Sequence, residues 1–538
     1  MKSLISKCCF TLSFILSIFL NTGCKNLTDK KLEGEEKSFV SIRGQRFIDA
    51  ADRVLILHGI NLVNKNQEEN YLGAEDQNAI KKIKSWGFNC IRLGIIWDGL
   101  EPEPGQYDAN YMKGLDERIR WAAENDILVV LDMHQDLYSV LYSDGAPEWA
   151  TLHEDKPHVT GEIWSESYFI SPAVQTSFDN FWANAPAPDG IGIQDHYINA
   201  WKYVADRYAN NKTVVGYDLM NEPFMGSDVV HVMPTLLKAY AELLVSEGRV
   251  PPPTEEELAR MWSSEEERSK VYEKLSDPEK FAYVFDAIHP LHSAFEKEKL
   301  MPFYRKCREA IRKADSNHII FIEHGIFANS GVLSDIQPLL TAAGEKDPQV
   351  AYAPHGYDLV TDTKAQAASS FERVNHIFGR IDQTGQRLGM PVLVGEWGAF
   401  YASEDPAVVA QTEFILKQFE NRLFSHTYWS YFEDLDQKPY FKALNKSYPM
   451  AVSGNLLSYD FDYKTETLEV RWEETEQNTD PTVIFLHNAQ TSVENSIELN
   501  PESEFEMIKV EGNASASLYI DPLGKNVKRM IKITFPGK

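Results

Sequence analysis

The chain has 538 residues, 43% of them hydrophobic and 25% charged, with a formal net charge of −27. That length exceeds one average domain, and the composition is that of an ordinary globular protein with ample core. The acidity excludes nucleic acid or an anionic membrane surface as the main partner, because a polyanion would be repelled.

In chain order, the first segment reads as a targeting signal. Lys2 and Lys7 precede an apolar run from Cys8 to Leu20 that is too short for a comfortable membrane span. The run ends at Thr22-Gly23-Cys24, which resembles a bacterial lipoprotein cleavage site, although Asn21 stands where such sites usually carry Leu. Residues 1–23 are therefore expected to be a signal peptide, Cys24 the lipidated residue, and 24–38 a polar tether. An ordinary secretory signal is the alternative. Cleavage before Cys24 leaves Cys90 and Cys307, which read as buried free thiols and imply neither a disulfide nor a metal framework.

From Val54 onward strands and helices alternate, which is the pattern of parallel βα units. The expected strands are Val54–Val63, Phe88–Ile96, Ile127–Met133, Val214–Tyr217, His318–Glu323, Val350–Tyr357, Pro391–Gly395 and His426–Phe432. Helical spacing lies between them, as in Met112, Leu115, Ile119 and Ala122. Eight such units predict an α/β (β/α)8 TIM barrel over 39–445, with its active site at the carboxyl ends of the strands. Two excursions interrupt the rhythm: a long aromatic loop at 137–169, and a charged helical insertion from Met225 to about Pro290. The insertion reads either as a solvated helical excursion or as a wall for a large substrate. After about Asn445 short β-rich runs predict an antiparallel β-sandwich domain over 446–538, either a binding module or a structural appendage.

Two of the strands end alike. Val214-Val215-Gly216-Tyr217 leads into Asn221-Glu222-Pro223, and Pro391-Val392-Leu393-Val394-Gly395 delivers Glu396. A single Glu at a strand end is commonly a cap or an ion-pair partner. A pair on one barrel face is what glycoside hydrolysis needs: one carboxyl protonates the leaving oxygen while the other attacks the sugar carbon. Arg92, His134, Asn221, His355, Tyr357 and Trp429 fall at the same strand ends. Each has a plain structural alternative as an ion-pair partner, a satisfied histidine or a core aromatic, and Asp132 reads equally well as structural support.

This set resembles the retaining glycoside hydrolases of the cellulase-type clan (glycoside hydrolase family 5), on Asn221-Glu222-Pro223 after strand four and Glu396 after strand seven. The resemblance implies Glu222 as acid/base and Glu396 as nucleophile. Arg92 would keep Glu396 ionised, Tyr357 would donate to it, Asn221 would meet the sugar 2-hydroxyl, and Trp429 would offer its face to the ring. Asp132-Met133-His134-Gln135-Asp136, Asp144-Gly145-Ala146-Pro147-Glu148-Trp149, Tyr352-Ala353-Pro354-His355 and Trp429-Ser430-Tyr431-Phe432 further resemble endoglycoceramidases, which separate glycan from ceramide in glycosphingolipids. By that resemblance Lys65, Gln135 and Asp136 hold the first sugar and the loop near Trp149 walls the ceramide side. His58, His324 and Gly356 depart from the pattern, and the small Gly356 is expected to widen the pocket. The expected protein is a monomeric, cofactor-free enzyme tied to a membrane by its lipid. A glucosylceramidase, β-glucosidase or endo-β-glucanase is the alternative within the clan, and a glycan-binding surface lipoprotein without turnover the alternative outside it.

Overall fold

The structure is a computed structural model that describes residues 39–73, 75–489, 493–510 and 513–535. The expected signal peptide, the Cys24 lipidation site and the whole of the tether lie outside the described residues.

Eight parallel strands form the barrel: His58–Leu62, Cys90–Ile96, Leu128–His134, Val214–Asp218, Ile319–Ile322, Val350–Tyr352, Leu393–Val394 and Ser425–Tyr428. They are strands one to eight below. A parallel bridge between Tyr352 and Val392 joins strand six to strand seven and closes the ring. The strands are buried on both faces because side chains fill the barrel on one side and helices cover the other. Helix Ala109–Glu124 shows how the covering layer is set. Asp108 caps it by accepting from the amides of Asn110 and Tyr111, and Met112, Leu115, Ile119 and Ala122 are buried. Helix Phe371–Leu388 is likewise capped by Ser370 and stopped by Gly389 at φ 58°.

The expected first strand, Val54–Val63, is two strands. Only His58–Leu62 enters the barrel, while Val54–Leu55 pairs antiparallel with Tyr448–Val452. With Ser41–Arg43 and Arg46–Ile48, it joins a seven-stranded sheet whose remaining strands come from the C-terminal region. The barrel proper thus starts near His58, and the sandwich draws on both ends of the chain. Its second sheet has four antiparallel strands, Asn455–Asp462, Thr467–Glu474, Val527–Thr534 and Ile497–Asn500. Alternate residues Leu468, Val470 and Trp472 are buried, as period-two alternation requires. Sandwich and barrel meet through Tyr448, whose hydroxyl donates to the Gly87 carbonyl at 2.8 Å, and through a buried Lys446–Glu420 ion pair.

The insertion is helical as expected, with Val232–Ser246, Glu255–Ser263, Glu265–Lys274 and Pro278–Phe285. Leu236, Tyr240, Leu258, Leu275 and Val284 line a small apolar pocket within it. Arg373 ties the insertion to the barrel by donating to the Tyr272 carbonyl at 2.9 Å. Cys90 and Cys307 are buried free thiols.

Candidate active site

The carboxyl ends of the strands converge on Arg92, which projects from strand two and is fully buried. Its Nη1 lies 2.9 Å from Glu396 Oε1 and 3.1 Å from Asn61 Oδ1; its Nε lies 3.0 Å from Asp218 Oδ2. Nη2 reaches Asp132 at 2.9 Å, Asn221 at 3.0 Å and Glu323 at 3.1 Å. One guanidinium therefore serves four buried carboxylates. Burial pushes Asp132 up to about 6, Asp218 to about 7 and Glu323 to about 8, even against the Arg92 charge. Burial also raises Glu396, while His355 and Arg92 oppose it. Titration here belongs to the cluster, and the oxygen contacts of Glu396 favour its ionised form. Besides Arg92, Glu396 Oε2 accepts from the Tyr357 hydroxyl at 2.9 Å.

Gly395, immediately before Glu396, is a matter of space. A Cβ there would lie 3.0 Å from His355 Nε2 and 3.5 Å from Arg92 Nε. Any larger residue would displace the groups that hold the carboxylate. Asn61 braces the same turn by donating to the Gly395 carbonyl at 2.9 Å.

Glu222 sits opposite, after strand four. One oxygen of Glu222 and one of Glu396 lie within 4.8 Å of each other, with a nitrogen of His355 inside the same limit. This spacing suits a retaining pair, whose carboxyls stand about 5–5.5 Å apart, and falls short of the roughly 6.5–9.5 Å of inverting pairs. Glu222 has φ 45°, the left-handed region that a Cβ disfavours. Two contacts hold it there: its amide donates to Glu323 Oε2 at 2.9 Å, and Gln135 Nε2 donates to the Asn221 carbonyl at 2.7 Å. Gln135 was expected to hold sugar. Both ends of its amide instead go to backbone, since Oε1 also accepts from the Tyr138 amide at 2.7 Å, so it braces the acid/base turn.

His355 links the two glutamates. Its Nδ1 is 2.9 Å from Glu222 Oε1 and 3.6 Å from Glu396 Oε2. Its Nε2 is 3.2 Å from Glu323 Oε1, an ionic contact bent away from a good hydrogen bond. Burial disfavours the imidazolium, but Glu323 and Glu396 outweigh it and raise His355 well above the usual histidine value.

The remaining predicted residues form the opposite wall. His134 Nδ1 lies 2.8 Å from Asp132 Oδ2, and its ring stacks on Trp429 with centroids 5.3 Å apart and planes within 9°. Asp132 is thus both support and part of the charge cluster. Burial holds His134 well below its ordinary pKa, so the ring is neutral and Nδ1 carries its proton. Lys65 pairs with Asp136, lies 3.6 Å from Asp144, and places Nζ 4.9 Å from the Trp429 ring centroid. Burial alone would lower this ammonium, yet Asp136 and Asp144 raise it. His134, Asp136 and Asp144 could by themselves chelate a cation, but the Lys65 ammonium occupies that position.

One further expectation is corrected. A Cβ on Gly356 would meet Phe378 at 2.5 Å, so this glycine makes room for the covering helix and does not widen the pocket. Within the loop that was expected to wall the ceramide side, the Trp149 side chain itself donates to the Glu101 carbonyl at 3.1 Å and packs edge-on against Trp97 and His196. Asn61, Asp218, Glu323 and Asn329 belong to the site and were not singled out as site residues from sequence. Asp218, an acidic residue ending an apolar strand as Asp132 nearly does, carried a usable signal.

Comparison with known proteins agrees with this geometry. The family model for cellulase (glycosyl hydrolase family 5) matches residues 49–249 and 273–434, and that for the glycoside hydrolase family 5 C-terminal domain matches 446–533. The gap falls inside the helical insertion. An endoglycoceramidase of Hydra vulgaris is 29% identical over 239 residues, 39% of this chain and 45% of the relative. Endoglycoceramidase I of Rhodococcus hoagii is 23% identical over 468 residues, 82% of this chain and 78% of the relative. The chain thus spans under half of the Hydra protein but most of the bacterial one. A solved structure of endo-glycoceramidase II from Rhodococcus sp., as a ganglioside GM3 complex, shares the fold with a TM-score of 0.69 at 23% identity, covering 92% of this chain and 100% of that one. With the barrel and the C-terminal domain each matched by its own model, the chain belongs to glycoside hydrolase family 5.

Proposed function

We propose that the protein is a retaining endo-β-glycosidase that cleaves the bond between glycan and ceramide in glycosphingolipids. The observation that carries the chemistry is the close Glu222–Glu396 pair, with Arg92 and Tyr357 on one carboxylate only. Glu396 attacks the anomeric carbon as the bond to the aglycone oxygen breaks, and Glu222 gives its proton to that oxygen. A covalent glycosyl-enzyme results. Glu222, now ionised, takes a proton from water, whose oxygen attacks the anomeric carbon and releases Glu396. Tyr357 follows the charge on Glu396, donating when the carboxylate is free. Asn221, whose Oδ1 is committed to Arg92, keeps an N–H available for the sugar 2-hydroxyl.

Two features support a lipid-linked glycan. Lys65, Asp136 and Trp429 gather polar and aromatic groups close to Glu396, suited to the hydroxyls and the face of a sugar. The loop after strand three and the short helix Ser167–Ile170 expose Leu141, Val159, Trp164 and Ile170, apolar side chains of the kind an amphipathic aglycone would contact. The endoglycoceramidase names of the relatives point the same way. Export through residues 1–23 and lipid attachment at Cys24 would bring a monomeric enzyme to such a substrate. Loss of fatty-acid labelling in Cys24→Ser checks that attachment.

The test is product analysis with a ganglioside, glucosylceramide and a soluble β-glucan, for wild type and Glu396→Gln. Free ceramide with the intact oligosaccharide, absent in the variant, is expected. Cleavage of glucosylceramide alone would replace the endo reading with an exo one, and cleavage of the β-glucan alone would overturn the lipid substrate.

A further inference from the structure

Strand five ends in an unusual sequence of buried polar groups. After Ile319–Ile322 come Glu323 and His324, then the 3-10 turn Ile326–Ser330 carrying Asn329, and all three side chains are buried. Buried polar groups need partners, and here the partners form a chain with one direction. Asn329 Nδ2 donates to Glu222 Oε1 at 2.7 Å. The amide is therefore oriented with Oδ1 facing away, and that oxygen lies 2.8 Å from His324 Nε2. An amide oxygen only accepts, so His324 carries its proton on Nε2. Burial lowers His324 to about 3, leaving Nδ1 bare, and it accepts from the Tyr352 hydroxyl at 2.6 Å. Tyr352 O–H thus donates to His324, His324 N–H to Asn329, and Asn329 N–H alone to Glu222 Oε1.

That oxygen also faces His355 Nδ1 at 2.9 Å. Oε1 of Glu222 is thus engaged by two nitrogens, and neither contact involves Oε2. We propose that Asn329, with its amide orientation locked by His324 and Tyr352, is a positioning residue that reserves Oε2 of Glu222 for the transferred proton. The inference rests on the acid/base role of Glu222. Asn329 also stabilises the carboxylate that Glu222 becomes after giving up that proton, because a donor to the ionised form favours it. The other titratable groups facing Glu222 are His355, Glu323 through the Glu222 amide, Glu396, and at longer range Tyr168, Tyr357 and Asp362. None of them belongs to the Asn329 turn; the Tyr357 amide donates to the Asn329 carbonyl at 3.0 Å, a backbone contact that a side-chain substitution retains.

The experiment compares wild type, Asn329→Ala, Asn329→Asp and His324→Leu on two substrates: a natural glycolipid and an aryl β-glycoside whose leaving group departs without protonation. On the glycolipid, the alkaline limb of kcat/KM should move up by about one pH unit in Asn329→Ala, since a hydrogen bond to a charged group is lost. The shift should be larger in Asn329→Asp, where a like charge replaces the donor. His324→Leu frees the amide to flip and should give a smaller shift in the same direction. On the aryl glycoside the rate of glycosyl-enzyme formation should stay within twofold of wild type. A wild-type alkaline limb in the Asn329 variants, or equal losses on both substrates, would overturn the proposal. His324→Leu decides the matter if the Asn329 variants fail to fold. Glu222→Gln is run beside them: if it still cleaves the glycolipid at the wild-type rate, the acid/base reading itself fails, a result distinct from unshifted Asn329 profiles.

Discussion

Two buried arginines divide the molecule into a part that holds together and a part that reacts. In the sandwich, Arg529 meets one carboxylate, Glu474, at 2.7 Å, donates to Ser503 and the Asp521 and Pro501 carbonyls, and lies 5.2 Å from the Trp472 ring centroid. Charge there is matched one to one. At the barrel mouth Arg92 faces Asp132, Asp218, Glu323 and Glu396, and no second guanidinium among the described residues shares them. A structural ion pair is balanced, whereas the site is overloaded with negative charge that must be held by protons and donors. That excess costs stability and supplies the reactive carboxylates.

Four changes break or sharpen this contrast. The largest is Glu396→Gln, which should lower product release by at least about 10³-fold while raising the melting temperature, since a neutral amide relieves the overload; calorimetry beside the product assay measures both. Arg92→Met comes next. It strands four carboxylates, so it should cost about 3–5 kcal/mol in chemical denaturation at pH 7 and recover part of that at pH 5. A pH titration of wild-type stability should show a smaller effect. The raised carboxyls of Asp132, Asp218 and Glu323, with values of about 6, 7 and 8, make the folded state hold more protons than the unfolded one. Their contribution is complete below the unfolded carboxylate range and lost as pH rises through about 6 to 8, so stability should fall across that window, with a shallower slope in Glu323→Gln. The raised His355 has the same sign. The smallest effect should come from the Arg529→Met/Glu474→Met double variant, where a matched pair is exchanged for apolar groups: stability within about 1–2 kcal/mol of wild type, and kcat unchanged. A loss of turnover there would show that the sandwich takes part in the chemistry.

Glu222 and Glu396 were legible from the sequence because each follows a short apolar strand and stands beside a turn, a local pattern that needs no distant partner. Arg92, His134, His355 and Trp429 were legible for the same reason, and the structure brings them together. Gln135 shows the limit. Its place in the motif was readable, but its partner, the Asn221 carbonyl, lies 86 positions away and only barrel closure brings it within reach. Asn329 had no signal at all, since an Asn in a turn is ordinary until Glu222 is seen 107 positions away. Gly356 suggested an open pocket because a missing side chain does not say which face it vacates.

The sequence by itself determined the eightfold alternation, the strand ends and the two glutamates, because hydrophobic periodicity and turn chemistry act within a few residues. Only the tertiary structure decided the charge census around Arg92, the strained backbone of Glu222, and the recruitment of Val54–Leu55 by Tyr448–Val452. Those depend on register between segments far apart in the chain. Register is fixed only when the barrel closes and the two sheets pack, and no local pattern encodes it.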